Sequence, residues 1–102
     1  MSLSLICYAI GHQTLLGFEY RGLPRVVAPY CHGVSATGVP MLRAIQLRGE
    51  STSGGFGFGK LWVVADLRGL RLLDETFEPD DPKYNPDDSA LAQIHCRVTR
   101  SR

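Results

Sequence analysis

The chain lacks most of the features that would place a protein at once. No apolar run approaches the roughly 18 residues of a membrane span. The opening stretch, MSLSLICYAIGHQ, is mildly apolar but has no early basic residue and no plausible cleavage site. No signal peptide is expected from it. There are only three cysteines, an odd number with no CxxC spacing. That count argues against a disulfide framework and for a reducing compartment, so the cytoplasm is the expected location and no membrane partner is expected. Neither a Gly-x-Ser-x-Gly elbow nor a His-Glu-x-x-His motif is present. A Cys31/His95 nucleophile pair can be drawn, but no third group is in view to orient it. The acids crowd onto a proline-rich stretch, which holds paired acid–base geometry poorly. No catalytic residues are assigned, and the chain is expected to act without chemistry.

What is present is the material of one small domain. A chain of 102 residues can bury a single modest core. Hydrophobic residues make up 44% and charged residues 21%, as in an ordinary globular protein. The net charge of +1 conceals a pattern. Residues 15–73 carry seven Lys or Arg against three acids, residues 74–88 carry seven acids against Lys83, and the last 14 residues carry three Arg and no acid. A basic body suits an anionic ligand. The acidic stretch is either a solvated loop or a strap across the basic face that competes with that ligand.

Hydrophobic periodicity gives a coarse map. Leu3, Ile6, Cys7 and Ile10 recur at helical spacing, with Gly11 as a stop, so a short helix is expected over 3–13. Residues 16–20 alternate as a strand, and Arg21-Gly22-Leu23-Pro24 is a turn. Further strands are expected at 25–30, 41–47, 61–65 and from 70. Pro29, lacking an N–H, belongs at an edge, a bulge or a strand end. Prolines and Asp pairs break regular structure over 78–88, and alternation over 90–99 predicts a last strand. Short strands about ten residues apart, with Gly/Pro turns between them, indicate a mainly β fold of the small-barrel or sandwich type. One domain is expected, with a barrel core at about 15–77.

Residues 54–60, GGFGFGK, match GxxxxGK, most of a phosphate-binding loop. The match ends there. Leu61 stands where Ser or Thr would hold Mg²⁺, and a strand follows where a helix is needed. The plain reading is a glycine loop between two strands. Its Phe56 and Phe58 sit among glycines with nothing nearby to bury them, so they are candidates for a partner contact.

Arg25, Arg43 and Lys60 lie on three different expected strands. Neighbouring strands would let them converge on an anion, and Arg offers phosphate bidentate pairing. Arg43 interrupts an apolar strand and must find solvent, an acid or a ligand. Glu19 and Asp66 are the candidate acids. Tyr20 and the other aromatics interleaved with Arg suit a platform for single-stranded nucleic acid, while Phe18 and Trp62 are better read as core. Cys31-His32 and His95-Cys96 hold zinc-type donors. Adjacent strand residues point to opposite faces, so two such pairs converge only at a bulge or strand end. No metal or cofactor is assigned.

The motif order resembles the WYL domain, a small SH3-like or Sm-like β-barrel. Tyr20-Arg21-Gly22 ends the first strand, Arg25 and Pro29 follow in the second, then Gly38 before Leu42-Arg43-Ala44, then Lys60-Leu61-Trp62-Val63-Val64 and Leu67. The likeness spans about residues 5–73. The naming Trp-Tyr-Leu tripeptide falls on Pro40-Met41-Leu42, and a late basic position falls on Asp66. The resemblance implies a stand-alone, ligand-sensing or nucleic-acid-binding barrel with basic side chains in a groove, of bacterial or phage origin, linked to transcription regulation. Tyr20, Arg25, Arg43 and Lys60 would contact a nucleotide or single-stranded nucleic acid. The alternative is an interaction or oligomerisation module that uses open strand edges and the Phe56/Phe58 loop.

Overall fold

The computed structural model describes residues 2–49, 60–79, 84 and 87–98. The chain begins with a helix, α1 (Ser2–His12), followed by strands β1 (Thr14–Tyr20), β2 (Leu23–Val34), β3 (Pro40–Gly49) and β4 (Lys60–Val63). A 3₁₀ turn (Val64–Asp66) leads into β5 (Arg68–Thr76), and β6 (Gln93–Arg97) closes the described chain. The protein is mainly β, with one short helix and a C-terminal strand.

Helix α1 turns Ile6, Ala9 and Ile10 into the core, the i, i+3, i+4 stripe of a one-sided helix. It does not stop at Gly11. It runs to His12, and Gln13 takes the left-handed conformation (φ 54°) that ends it, its N–H donating to the Ile10 carbonyl.

All strand pairs are antiparallel, in the order β4-β3-β2-β1-β5. The β1–β2 hairpin closes through two residues. Arg21 and Gly22 both have positive φ (54° and 78°), the conformation whose twist matches paired strands. Strand β2 is the hub. Its first half pairs with β1, its second half pairs with β6, and β3 runs along its other side. A register shift between Pro29 and Cys31 absorbs the missing proline donor in a bulge. The sheet is curled, and Arg48 near the end of β3 pairs with Glu75 of β5 with two strands between them. It is not closed, because no ladder joins β4 to β5 among the described residues. The barrel expected from the strand spacing is thus an open, curled sheet.

The last strand is shorter than expected and is tied down from several directions. The Val98 N–H donates to the Tyr30 carbonyl at 2.8 Å, and the Tyr84 hydroxyl donates to the Val98 carbonyl at 3.2 Å. Tyr84 is buried against Tyr30, ring centres 4.9 Å apart, and Tyr30 also packs on Phe77. A disulfide joins Cys7 of α1 to Cys96 of β6. The odd cysteine count had argued for reduced thiols throughout. Instead two thiols 89 residues apart meet because α1 lies against β6, and only Cys31 is free.

A candidate anion site and a sulfur–imidazole cluster

Strand β3 sorts the predicted cations. Leu42, Ala44 and Gln46 are buried on one face, while Met41, Arg43 and Ile45 are half-buried on the other. Lys60 pairs with Ala44 and Trp62 with Leu42 across the β3–β4 ladder, so both belong to the first face. Arg25 reaches the same face from β2. Its Nη1 donates to Gln46 Oε1 at 3.4 Å, and its Nη2 donates to the Tyr20 carbonyl at 3.0 Å.

The result is a cation–aromatic cluster. The Tyr20 and Trp62 rings meet edge to face, centres 4.8 Å apart, with Phe18 packed behind Trp62 at 5.2 Å. The Arg25 guanidinium carbon is 5.6 Å from the Tyr20 ring centre and 5.5 Å from that of Trp62. Lys60 Nζ lies 5.5 Å over the Trp62 ring, and Arg21 lies 5.6 Å from Tyr20. Ring faces attract cations, and the attraction grows as water is removed. Trp62 is fixed from its other end, Nε1 donating to the Ala44 carbonyl at 3.3 Å.

Arg25 is the unusual member. It is 2% exposed, its Nε has no hydrogen-bond partner, and no carboxylate pairs with it among the described residues. A buried charge without a counter-ion is costly, and two neutral acceptors and two ring faces offset only part of that cost.

Arg43 stands apart from this cluster, on the opposite face of β3. Its Nε donates to Asp88 Oδ2 at 2.6 Å and its Nη2 donates to Asp88 Oδ1 at 3.0 Å, a bidentate pair. The partner is neither Glu19 nor Asp66, the acids the sequence reading offered. It comes from the C-terminal end of the acidic stretch, where Asp88 is held by one cation of the basic body. The hydrogen-bonded Arg43 guanidinium holds the Asp88 carboxyl below the usual carboxylate range, against the opposing effect of burial. The Ala90 N–H adds a further bond to the same carboxylate. Asp87 pairs with Arg97 nearby. Tyr20, Arg25 and Lys60 are thus brought together, and Arg43 is not. Phe56 and Phe58, and the glycine loop that carries them, lie outside the described residues.

A second cluster sits where α1 meets β6. The donor atoms of Cys7, His32 and Cys96 all lie within 4.8 Å of one another. His32 is 1% exposed, and its Nδ1 has no hydrogen-bond partner. Burial, aided by His95, lowers its pKa to about 4, so the ring is neutral at physiological pH. The His95 ring centre is 5.4 Å away. The expectation that Cys31-His32 and His95-Cys96 face apart is half of the story. One member of each pair, His32 and Cys96, stands opposite the other across the β2–β6 ladder, and the helix supplies the third donor. Helical spacing marked Cys7 as inward-facing, but nothing in the sequence set α1 against β6.

The free thiol is a different matter. Burial, with Asp88 adding to it, pushes Cys31 up to about 11. A thiol that stays protonated at neutral pH is a weak nucleophile. A cavity of about 250 Å³ lies elsewhere, lined by Tyr8, Thr14 and residues 72–76. Asp74 and Glu75 line it, which does not suit an anion. No helix among the described residues is long and apolar enough to cross a membrane. Comparison with protein-family models, curated proteins and solved structures finds no match to this chain.

Proposed function

We propose that the chain is a non-catalytic, ligand-sensing module that binds an anionic ligand, a nucleotide or single-stranded nucleic acid, at the cluster of Tyr20, Arg25, Lys60 and Trp62. One observation carries this reading: the buried Arg25 guanidinium has no carboxylate partner among the described residues and an Nε without an acceptor. A ligand phosphate would supply the missing charge. Half-buried Tyr20 offers ring surface to a base, with buried Trp62 behind it, the pairing of aromatic and cation that sequence-tolerant nucleic-acid sites use. Lys60, at the entry to β4, is half-buried and would add a second positive charge for the ligand. The Arg43–Asp88 pair has a separate part, holding the acidic strap in place. This reading keeps the WYL-like assignment, a bacterial, cytoplasmic regulatory domain tied to transcription, as its working frame.

Fluorescence polarisation of labelled single-stranded RNA and DNA, at low and moderate salt, tests it. Binding is expected to weaken steeply with salt. Lys60→Glu is expected to weaken it by about tenfold while leaving the fold intact. No binding at tens of micromolar protein, for oligonucleotides and nucleoside triphosphates alike, overturns the reading.

A second reading, a protein-interaction module, rests on the open sheet edges. β4 and β5 end the ladder, and nine-residue β5 exposes Leu72 beside exposed Tyr8. Such an edge can accept a strand from another chain. It predicts a mass that rises with concentration in the absence of ligand, which sedimentation measures.

A further inference from the structure

We propose that Cys7, Cys96 and His32 form a redox-gated site for Zn²⁺: closed while the two cysteines are a disulfide, and metal-binding once a dithiol reductant opens it. Three observations support this. The three donor atoms already lie within 4.8 Å of one another. His32 Nδ1 is deeply buried without a hydrogen-bond partner. The three residues come from three separate elements, α1, β2 and β6, which the sheet and the helix packing hold in place.

The geometry suits the ion. With Zn–S near about 2.3 Å and Zn–N about 2.0–2.1 Å, tetrahedral ligand atoms stand roughly 3.5–3.8 Å apart. The Cα atoms of Cys7 and Cys96 are 5.7 Å apart, so rotation of the two side chains can open the sulfurs to that spacing without moving the backbone. The fourth position falls to water or to His95, whose ring centre is 5.4 Å from that of His32.

The chemistry balances in two steps. A dithiol reductant passes two electrons and two protons to the Cys7–Cys96 disulfide, giving two thiols, and is itself oxidised to a disulfide. Zn²⁺ then binds both sulfurs and a ring nitrogen of His32, and the two thiol protons leave to solvent. Either state ties α1 to β6. The oxidised state does so through a covalent bond and the reduced state through the metal, so the fold survives both conditions. Cys31, on the Arg43 face, takes no part.

The test uses Co²⁺ as a spectroscopic stand-in for Zn²⁺, added to the full chain with and without prior anaerobic reduction. The reduced protein is expected to bind one Co²⁺, with thiolate charge-transfer absorption and the visible bands of a tetrahedral ion, and to release it to one equivalent of Zn²⁺. The oxidised protein is expected to show neither. Cys31→Ser should bind as the wild type does, and His32→Ala should lose at least about tenfold in affinity. Circular dichroism follows the fold in parallel. A reduced chain that stays folded yet binds no metal overturns the proposal. So does one that unfolds and is not refolded by Zn²⁺, or binding that His32→Ala leaves unchanged.

Discussion

Asp88 shows how one side chain can be misplaced by reading along a chain. It belongs to the most acidic and proline-rich stretch, where a solvated carboxylate is the natural expectation. It is instead 7% exposed and clamped by Arg43, 45 residues away. Its depressed pKa fixes the sign of a pH effect. A carboxyl that is more acidic when folded adds stability that is fully present above its unfolded value of about 3.9. That stability is lost as pH falls through the folded value. Asp88→Asn should therefore cost about 2 kcal/mol at neutral pH, since it removes the charge from the carboxylate that half-buried Arg43 holds in a bidentate pair. The gap between variant and wild type should close progressively below about pH 4, as urea denaturation at several pH values would show. A gap independent of pH would mean that the carboxylate is missed for its packing and hydrogen bonds and not for its charge.

The other site residues were legible to different degrees, for physical reasons. Arg25 and Lys60 could be picked out because cations on apolar strands need a reason to be there. Arg43 was picked for the same reason, yet strand alternation puts it on the far face. Its parity relative to Lys60 could not be known without the β3–β4 register, which pairs Lys60 with Ala44. Trp62 was expected as core and is 1% exposed, but it is also the ring that Arg25 and Lys60 share. Cation–ring geometry is a matter of contact across strands, which spacing does not encode. The disulfide was missed because counting cysteines says nothing of which elements touch.

At the scale of elements, local chemistry was the better guide. The helix, the strands of the meander and the Arg21-Gly22 turn follow from periodicity and from glycine's freedom at positive φ, although Leu23 and Pro24, expected in the turn, begin β2, and the strand expected over 61–65 gives way to a 3₁₀ turn at Val64. The pairing of β6 with β2 does not. It depends on Gly33, where a side-chain carbon would strike the Gln93 carbonyl, so the two backbones approach there only because the residue is glycine. Gly33→Val should pry β6 away at that point. A loss of about 2–4 kcal/mol is expected, together with faster hydrogen exchange at the β6 amides and little change in those of β1 and β3. Uniform loss of protection would place Gly33 in the shared core and not at a local seam.

Across the whole molecule, opposite ends of the chain are fastened together. The Cys7–Cys96 bond closes a loop of 89 residues, worth about 4–5 kcal/mol in chain entropy, and Asp88 and Tyr84 pin the acidic strap beside it. The charge blocks of the sequence are brought together in space, where Asp88, Glu75 and Asp87 of the acidic stretch pair with Arg43, Arg48 and Arg97. One cation of the basic body, Arg43, is neutralised by the strap, and another, Arg25, is buried among rings on the opposite face. Trp62 is the chain's single tryptophan and lies against Arg25 and Lys60, so its fluorescence reports on that place alone. The most direct measurement is a titration of Trp62 emission with a nucleoside triphosphate and with a short single-stranded oligonucleotide. A saturable change that salt weakens, and whose midpoint Lys60→Glu shifts by about tenfold in a folded protein, is the predicted result. Emission that stays flat through tens of micromolar of both ligands would contradict an anion site at this cluster.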